Sequence, residues 1–314
     1  MKSVVFLDTV HPILRDRLTD FGFMCIDATN LDKKECIELL YNAFGVVIRS
    51  RFRVDEPLLK DAKELKFIAR SGSGLENIDL SYCKKRNIAV FNSPEGNRNA
   101  VGEHALGLLL NLLNNISKSD KEIRSKTWDR EGNRGEELDG KIIGIIGYGN
   151  NGNAFAKKLK GFEVKILAYD KYKSDFSDSF VKEASLSEIY NKADVISFHV
   201  PLTKETKYWV NEAFFSQLKK TIYLLNISRG GIVKTEALLN ALEKKQIKGA
   251  GLDVLEFEPS SFSPFFESLP IQINKRLFES KKIIFTPHVA GWTKESYFKL
   301  SNVLANKIKS HFFL

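Results

Sequence analysis

Short apolar runs alternate with amphipathic segments along most of the chain. In the first hundred residues the apolar runs predict buried β-strands, at Val4–Leu7, Phe23–Ile26, Gly45–Ile48, Phe67–Ala69 and Ala89–Phe91. The segments between them carry apolar residues at helical spacing, near Ile13–Phe21, Lys33–Ala43, Glu56–Ala62 and Leu80–Arg86. Strands that alternate with helices predict βαβ units and therefore a parallel sheet.

A second alternating series begins at Lys141. Its predicted strands are Ile142–Ile146, Val164–Tyr169, Val195–Phe198, Ile222–Asn226, Gly249–Val254 and Ile283–Thr286. Helical patterns precede and follow this series, at Asn99–Ser117 and Lys294–Phe312. Between the first helix and the series, Ser119–Asp139 is polar and charged, which indicates either a surface connection or an arm exchanged between subunits.

Length and charge fit this two-part pattern. A chain of 314 residues corresponds to about two domains. The net charge is +9, but basic stretches such as Lys118–Lys126 are interrupted by acidic residues, which favours solvated helix faces. A nucleic-acid surface would need basic residues clustered on one face, and that alternative stays open. A mild positive field would also attract small acidic substrates.

Membrane and metal partners are not expected. The longest nearly unbroken apolar stretches, Ala105–Leu110 and Ile142–Gly147, are far shorter than the ~20 residues that span a bilayer. The N-terminal apolar run meets a charge at once and predicts a first strand rather than a signal peptide. Cys25, Cys36 and Cys83 have no metal-ligand spacing, which favours reduced thiols in a cytoplasmic protein.

A glycine-rich turn follows the first strand of the second series. Gly147, Gly149 and Gly152 form a G-x-G-x-x-G pattern between an apolar strand and a helical segment. Such a turn lets the backbone approach a pyrophosphate at the helix N-terminus, where free N–H groups favour anions. Asp170 ends the next strand, where an acid accepts the ribose hydroxyls. Together these features predict a dinucleotide site.

Three residues with catalytic chemistry, Arg229, Glu258 and His288, follow later predicted strands. A guanidinium can hold a carboxylate bidentately, and a His beside a carboxylate can move a proton near neutral pH. Taken singly, each residue also fits an ordinary structural or surface role. Their joint placement beside the dinucleotide pattern favours one catalytic set.

The chain resembles the D-isomer-specific 2-hydroxyacid dehydrogenases over essentially its whole length. The resemblance rests on GYGNNG, HVPLT (199–203), NISRGG, GLDVLEFEP and TPHVAGW, in that order. It implies two doubly wound parallel-sheet domains, flavodoxin-like and Rossmann-like, with an active site in the cleft. Residues 1–97 and 288–314 would form the substrate domain, and residues 98–287 the NAD-binding domain.

The resemblance also implies roles for individual residues. Arg229 would bind the substrate carboxylate and carbonyl, His288 would be the acid/base, and Glu258 would pair with His288. The residues implied to contact NAD are Gly147, Gly149, Asn150, Asn151, Gly152, Asp170, Val200, Pro201, Ile227, Ser228, Asp253, Ala290 and Gly291.

The first domain carries its own matches to the family. Arg70–Asp79 resembles the family's glycine loop, in which the N–H groups of Ser73 and Gly74 could cradle a carboxylate; a tight turn is the alternative. Within the family, the resemblance is greatest to the 3-phosphoglycerate dehydrogenases. Arg49 stands where those enzymes have their phosphate-binding arginine, although a surface arginine is the other interpretation.

These matches imply an NAD-dependent, homodimeric 3-phosphoglycerate dehydrogenase that performs the first step of serine biosynthesis. A glyoxylate/hydroxypyruvate reductase and a non-catalytic NAD-sensing protein are the alternatives. A formate-dehydrogenase-like activity is disfavoured, because those relatives have an amide where Glu258 stands. Two features depart from the pattern: Ser260–Leu277 is longer than in many relatives, and no C-terminal regulatory domain is expected after the final helix.

Overall fold

The computed structural model describes residues 2–258 and 271–313, and it divides the chain into two compact units. The first unit comprises Met1–Arg98 and Trp292–Leu314, and the second Asn99–Gly291. The sequence placed the boundaries at 97/98 and 287/288. The second boundary lies four residues later because backbone hydrogen bonds hold residues 288–290 to Asp253 of the second unit. Most of the long stretch 260–277 lies outside the described residues.

The first unit is a five-stranded parallel sheet with the order β2-β1-β3-β4-β5. Its strands are β1 (Ser3–Phe6), β2 (Met24–Asp27), β3 (Ala43–Ile48), β4 (Phe67–Arg70) and β5 (Ala89–Phe91). Its helices are α1 (Ile13–Asp20), α2 (Lys33–Leu40), α3 (Glu56–Leu59), α4 (Leu80–Lys85) and the last helix of the chain, α12 (Lys294–Phe312). This is the flavodoxin-like order, as predicted.

Helix α12 returns to the first unit because its apolar side is buried there. Leu304, Ala305 and Ile308 are inaccessible to solvent and belong to the same apolar cluster as β1. Gly96 allows the approach, since a Cβ there would lie 2.7 Å from the backbone of Leu300. The helix is therefore an integral part of the first unit's core.

The second unit contains a seven-stranded parallel sheet with the order β12-β11-β10-β9-β6-β7-β8. Its strands are β6 (Ile142–Ile146), β7 (Lys165–Tyr169), β8 (Val181–Glu183), β9 (Val195–Phe198), β10 (Ile222–Asn226), β11 (Ile247–Leu252) and β12 (Ile283–Phe285). The remaining helices are α5 (Pro94–Asn114), α6 (Ile116–Arg124), α7 (Asn150–Lys158), α8 (Leu186–Lys192), α9 (Glu212–Gln217), α10 (Thr235–Glu243) and α11 (Ile271–Phe278). The predicted class, two doubly wound parallel-sheet units, is confirmed. No helix of the described residues is long and apolar enough to cross a membrane.

The charged segment predicted as a loop or an arm contains a helix. Asn115, with φ = +53°, ends the long helix α5, and α6 starts at the next residue. Ion pairs four residues apart support α6, at Lys118–Glu122 and at Asp120–Arg124. No residue of α6 is buried, so its apolar side chains are open to solvent. We call residues 116–139 the arm.

Glu136 fastens the end of the arm to the sheet of the second unit. Its carboxylate accepts hydrogen bonds from Lys248 (2.7 Å), Lys141 (2.9 Å) and the hydroxyl of Tyr223 (3.1 Å). Burial alone would raise the pKa of Glu136, but the hydrogen bonds and charges of Lys248 and Lys141 outweigh it and lower the pKa to about 2. The folded state therefore favours the ionised carboxylate.

We expect Glu136→Gln to lower the Tm at pH 7. Because the pKa falls from ~4.3 in an unfolded chain to about 2, this stabilisation is complete above about pH 4.3 and disappears as the pH falls through 2. The Tm difference between wild type and variant should therefore shrink as the pH falls from 5 to 2. Glu131→Gln, an exposed carboxylate of the arm, is the control. A Tm difference independent of pH would contradict this account.

Candidate active site

The three predicted catalytic residues lie beyond the carboxyl ends of three adjacent strands. Strand β11 pairs with both β10 and β12, and Leu252 lies opposite Asn226 on one side and Phe285 on the other. The chain then leaves the sheet at one edge in all three strands. Arg229, Glu258 and His288 follow these ends, where ligands bind in open α/β sheets.

His288 and Glu258 form the central pair of this edge. The Nδ1 atom of His288 lies 3.3 Å from Oε1 of Glu258. Such a contact places the Nδ1 proton towards the carboxylate and leaves Nε2 as the ring atom that can exchange a proton with a ligand. The backbone N–H of Leu255 donates to Glu258 Oε2 at 3.4 Å, which helps to orient the carboxylate. The imidazole is about half exposed, so a substrate can reach it.

Asp253 holds the loop that carries His288. Its side chain is only 1% exposed, and its carboxylate accepts from the backbone N–H groups of Val289 and Ala290, both at 2.9 Å. The N–H of His288 donates to the Asp253 carbonyl at 2.7 Å. His288 adopts φ = +54°, a left-handed conformation that costs a non-glycine residue on the order of 1–2 kcal/mol. The hydrogen bonds to Asp253 offset this cost.

His104 and Thr286 complete the surroundings of Asp253. The Thr286 hydroxyl lies 2.6 Å from Asp253 Oδ1 and 2.9 Å from His104 Nε2. Because a carboxylate only accepts, the threonine donates to Asp253 and accepts from His104. His104 thus carries its proton on Nε2. Sequence reasoning gave His104 and Thr286 no role, because their partner is remote in sequence.

Arg229 sits in a turn shaped by the last residue of β10. Asn226 is fully buried, and its Nδ2 donates to the Arg229 carbonyl at 3.0 Å while its Oδ1 accepts from the N–H of Ser228 at 3.2 Å. Gly230 is required next, since a Cβ there would lie 1.8 Å from the carbonyl oxygen of Leu255. The arginine turn therefore packs against the segment that leads to Glu258.

The glycine-rich turn has the geometry that a bound pyrophosphate requires. Gly147 has φ = +95°, and a Cβ there would lie 2.7 Å from the His199 carbonyl. A Cβ on Gly152 would lie 2.1 Å from the Gly147 carbonyl, so helix α7 packs directly on the turn. Gly149 precedes α7 and faces open space within the described residues. The N-terminus of α7 is therefore accessible to an anion.

Asp170 supports this turn from the end of β7. Its Oδ2 accepts from the backbone N–H of Tyr148 at 2.8 Å, and its Oδ1 from that of Tyr172 at 2.9 Å. Lys173 donates to the Tyr148 carbonyl at 3.2 Å, and the Tyr148 ring stacks on Phe176 at 4.7 Å. Residues after β7 thus hold Tyr148 through both its backbone and its ring.

The other residues predicted to contact NAD lie at the same edge. Asn150 and Asn151 open α7; Val200 and Pro201 follow β9; Ile227 and Ser228 follow β10; Ala290 and Gly291 follow β12. The Oδ1 atom of Asn151 is buried and has no hydrogen-bond partner among the described residues, so it can accept from a ligand. An open helix N-terminus, an orphaned acceptor and Asp170 together fit a dinucleotide.

His199 is a partly exposed residue next to this turn, and its Nδ1 atom is buried. Burial lowers the pKa of its imidazole to about 3, so the ring stays neutral at ordinary pH. Its Nε2 lies 2.8 Å from the Ser197 hydroxyl, while Nδ1 has no partner among residues 2–258 and 271–313. His199 packs beside the dinucleotide turn as an uncharged group.

In the first unit, Asp8 organises the loop that carries Arg49. Asp8 directly follows β1, and its Oδ2 accepts from the N–H groups of Arg49, Ser50 and Arg51 at 2.7, 3.0 and 3.1 Å. These residues follow β3, which neighbours β1 at the point where the strand order reverses. In doubly wound sheets this switch point is the usual ligand site.

Two arginines of this loop, Arg49 and Arg51, make different contacts. The guanidinium of Arg51 donates to the carbonyls of Leu7, Ala28 and Leu31, so it ties three chain segments together. The guanidinium of Arg49 lies over the Trp292 ring, 4.2 Å from its centroid, and makes no ion pair with the described residues. Of these two arginines, Arg49 leaves its charge without an ion-pair partner among the described residues.

The predicted carboxylate cradle, Ser73 and Gly74, follows β4 in the same unit. The Ser73 hydroxyl donates to Asn97 at 2.7 Å, and its carbonyl accepts from Asn92. Gly72 precedes them with φ = +155°, where a Cβ would overlap the side chain of Arg70. The backbone N–H groups of Ser73 and Gly74 make no hydrogen bond in the described part of the chain, as a ligand cradle requires.

Comparison with known families identifies the second unit. The model of the D-isomer specific 2-hydroxyacid dehydrogenase, NAD binding domain, matches residues 106–290. This range includes the glycine-rich turn, Asp170 and the three candidate catalytic residues. NAD is therefore the cofactor expected in this unit, in agreement with the sequence.

Relatives match over both units. The chain is 32% identical to the D-3-phosphoglycerate dehydrogenase of Sus scrofa over 97% of its length, but it spans only 55% of that relative. It is also 32% identical to the hydroxypyruvate reductase of Thermotoga maritima, with 90% of this chain and 89% of the relative covered. The structure of D-lactate dehydrogenase from Aquifex aeolicus, complexed with NAD and lactic acid, superposes with a TM-score of 0.82 at 28% identity, covering 99% and 95% of the two chains.

The position of Asp170 leads to a test of cofactor choice. A 2′-phosphate 4 Å from this carboxylate would be repelled by about 4 kcal/mol at an effective dielectric of ~20, and even a quarter of that is roughly fivefold. We expect wild type to prefer NADH over NADPH, and Asp170→Asn, which keeps an acceptor for Tyr148, to narrow the ratio of kcat/KM. Asp139→Ala, an exposed acid of the same unit, should leave the ratio unchanged. Equal wild-type kcat/KM for the two cofactors would refute this role.

Proposed function

We propose that this chain, which belongs to the D-isomer-specific 2-hydroxyacid dehydrogenase family, is an NAD-dependent dehydrogenase of small 2-hydroxy acids. The observation that supports the proposal is the His288–Glu258 contact at 3.3 Å, next to the turn of Arg229 and in the same unit as the dinucleotide turn. These groups can hold a carboxylate, move a proton and bind the cofactor.

Each residue has a distinct task in this proposal. NAD, when bound, supplies or accepts the hydride at C2 of the substrate. The helix N-terminus at Asn150 and Asn151 would hold its pyrophosphate and Asp170 its ribose hydroxyls. His288 would exchange a proton with the C2 oxygen while Glu258 keeps the imidazole oriented.

Arg229 would bind the substrate carboxylate and stabilise the negative charge that develops on the C2 oxygen. An interaction that strengthens in the transition state raises the rate, whereas uniform binding does not. Asn226 and the close packing at Gly230 hold this turn in place before substrate arrives. This preorganisation is what makes the charge of Arg229 useful for catalysis.

The substrate we propose is 3-phosphoglycerate, in the first step of serine biosynthesis. Arg49 supports this choice, because it lies at the switch point of the first unit without an ion-pair partner among the described residues. Ser73 and Gly74 would cradle the carboxylate of the same substrate. A glyoxylate/hydroxypyruvate reductase uses the same machinery without a phosphate, and the 32% identity to a hydroxypyruvate reductase supports that alternative.

The direct test is NADH oxidation with phosphohydroxypyruvate, hydroxypyruvate and glyoxylate, compared by kcat/KM. We expect phosphohydroxypyruvate to be preferred, and Arg49→Ala to lower its kcat/KM roughly 10- to 150-fold, because a charge-assisted hydrogen bond contributes ~1.5–3 kcal/mol. The kcat/KM of Arg49→Ala for hydroxypyruvate, which has no phosphate, should equal that of wild type. Arg53→Ala is the matched control, since Arg53 lies in the same loop, is 76% exposed and, within the described residues, forms an ion pair with Asp55 alone.

Other outcomes would redirect the assignment. Equal losses on the two substrates in Arg49→Ala would remove the phosphate role and leave a general 2-hydroxyacid dehydrogenase. Preference for hydroxypyruvate or glyoxylate would favour the reductase. No turnover of any keto acid, with NADH binding retained, would favour the non-catalytic NAD sensor.

We further propose that the protein is a cytoplasmic homodimer joined through the arm. Cys25, Cys36 and Cys83 are free thiols, as in a reducing compartment. The arm exposes Ile116 and Trp128, with 54% and 80% of their surface open to solvent. Large apolar side chains gathered on an unburied amphipathic helix and its continuation are typical of a subunit contact.

Light scattering tests this assembly. We expect a mass of twice 35.7 kDa for wild type and a shift towards the monomer in Ile123→Glu, which places a charge on the apolar side of α6. Lys121→Glu, a charge reversal elsewhere on the same helix, is the control for charge alone. A monomeric wild type would exclude the arm as a dimer contact.

A further inference from the structure

The backbone of Arg49 is fixed on both sides. Its N–H donates to Asp8, and its carbonyl accepts from Nε of Arg70 at 3.2 Å and from Nδ2 of Asn77 at 3.3 Å. The loop therefore cannot shift to meet a ligand. Any adjustment must come from the Arg49 side chain, which is long and flexible unless something holds it.

The side chain of Arg49 is held by an aromatic ring and a carbonyl, and its positive charge is not paired with a carboxylate of the described residues. Its Nη1 reaches the Thr9 carbonyl only at 3.5 Å, and its guanidinium lies 4.2 Å from the centroid of the Trp292 ring. Burial lowers the pKa of Arg49, while the nearby charge of Asp8 opposes that change. The guanidinium is thus partly desolvated, and no carboxylate of the described residues pairs with it.

The backbone that follows Trp292 is fixed by a helix cap. It directly precedes α12, whose first turn is closed by a reciprocal capping box: Thr293 accepts from the N–H of Ser296 at 3.0 Å, and the Thr293 N–H donates to the Ser296 hydroxyl at 2.9 Å. The indole nevertheless remains 59% exposed. Because Trp292 is so exposed, its position over Arg49 is not explained by packing in the core of this unit.

An aromatic face orients a guanidinium in a way that a carboxylate cannot. It attracts the cation through the ring quadrupole but accepts none of the in-plane N–H donors and leaves the net charge unchanged. A carboxylate at the same place would use two donors and cancel the charge that an anionic ligand needs. Stacking therefore orders Arg49 and keeps its outer donors available.

We propose that Trp292 is a positioning residue that holds Arg49 ready for a dianionic phosphate, and that the pair determines the preference for phosphorylated over unphosphorylated substrates. For catalysis, this inference rests on the proposed function. For binding, it requires only that a phosphate reaches Arg49. Free phosphate and a phosphorylated keto acid share this chemistry. A kinetic experiment tests the keto acid, and a binding experiment tests free phosphate.

The kinetic experiment compares three variants: Trp292→Leu, Trp292→Phe and Tyr41→Leu. In Trp292→Leu we expect kcat/KM for phosphohydroxypyruvate to fall roughly 2- to 30-fold, mainly through KM, since a cation–π contact contributes about 0.5–2 kcal/mol. Hydroxypyruvate should be affected less than twofold, which a general structural defect would not produce. Trp292→Phe should recover most of the loss, and Tyr41→Leu, an exposed aromatic at the end of α2, should change neither substrate.

The binding experiment follows tryptophan fluorescence while inorganic phosphate is added. We expect phosphate to change the emission of wild type, and the change to disappear in Arg49→Ala but persist in Arg53→Ala. Chloride at equal ionic strength is the control for screening. Because Trp292→Leu removes the reporter itself, phosphate binding to this variant is measured by isothermal titration calorimetry, where an affinity equal to that of wild type would overturn the inference.

The kinetic and binding experiments together distinguish this inference from the proposed function. If Arg49→Ala selectively impairs phosphohydroxypyruvate but Trp292→Leu does not, the positioning role is wrong and the function stands. If phosphohydroxypyruvate is not turned over but phosphate still alters emission through Arg49, the proposed substrate is wrong and the anion subsite stands. Equal losses of Trp292→Leu on both substrates would also overturn the inference.

Discussion

Parallel pairing is the constraint on which both candidate sites depend. Every strand pairing of the described residues is parallel, so the chain leaves each sheet at one common edge. Residues that are about thirty positions apart, such as Arg229, Glu258 and His288, thereby reach one place without any contact in the sequence. The same pairing in the first unit brings the loop after β1 to the loop after β3, where Asp8 meets Arg49.

Two carboxylates, one buried and one partly buried, then fix the loops at these carboxyl ends. Asp253 and Asp8 each accept several backbone N–H groups from the next loop, so a negative charge replaces the regular hydrogen bonds that a loop lacks. Charge-assisted hydrogen bonds of this kind are about twice as strong as neutral ones. In the case of His288 they sustain a backbone conformation that the residue would otherwise avoid.

Sequence reasoning succeeded where the signal is local. Helix Lys294–Phe312 has the predicted bounds, and the glycine-rich turn lies between β6 and α7 with Asp170 beside it, because periodicity and glycine spacing report directly on short-range geometry. It missed α6 and β8, whose sequences are short and polar. It also missed Asp8, His104 and the Arg49–Trp292 contact, since their partners are remote in sequence and only the fold brings them together.

The carboxylate of Asp8 has a consequence for how the first unit experiences its surroundings. Three converging N–H groups form an anion nest, and the chain fills that nest with its own acid. A tethered ligand acts at an effective concentration of about millimolar or more, so dilute anions in solution compete poorly with it. The loop therefore keeps its shape whatever the ambient phosphate level, and its three backbone N–H groups are not available to an anion from solution.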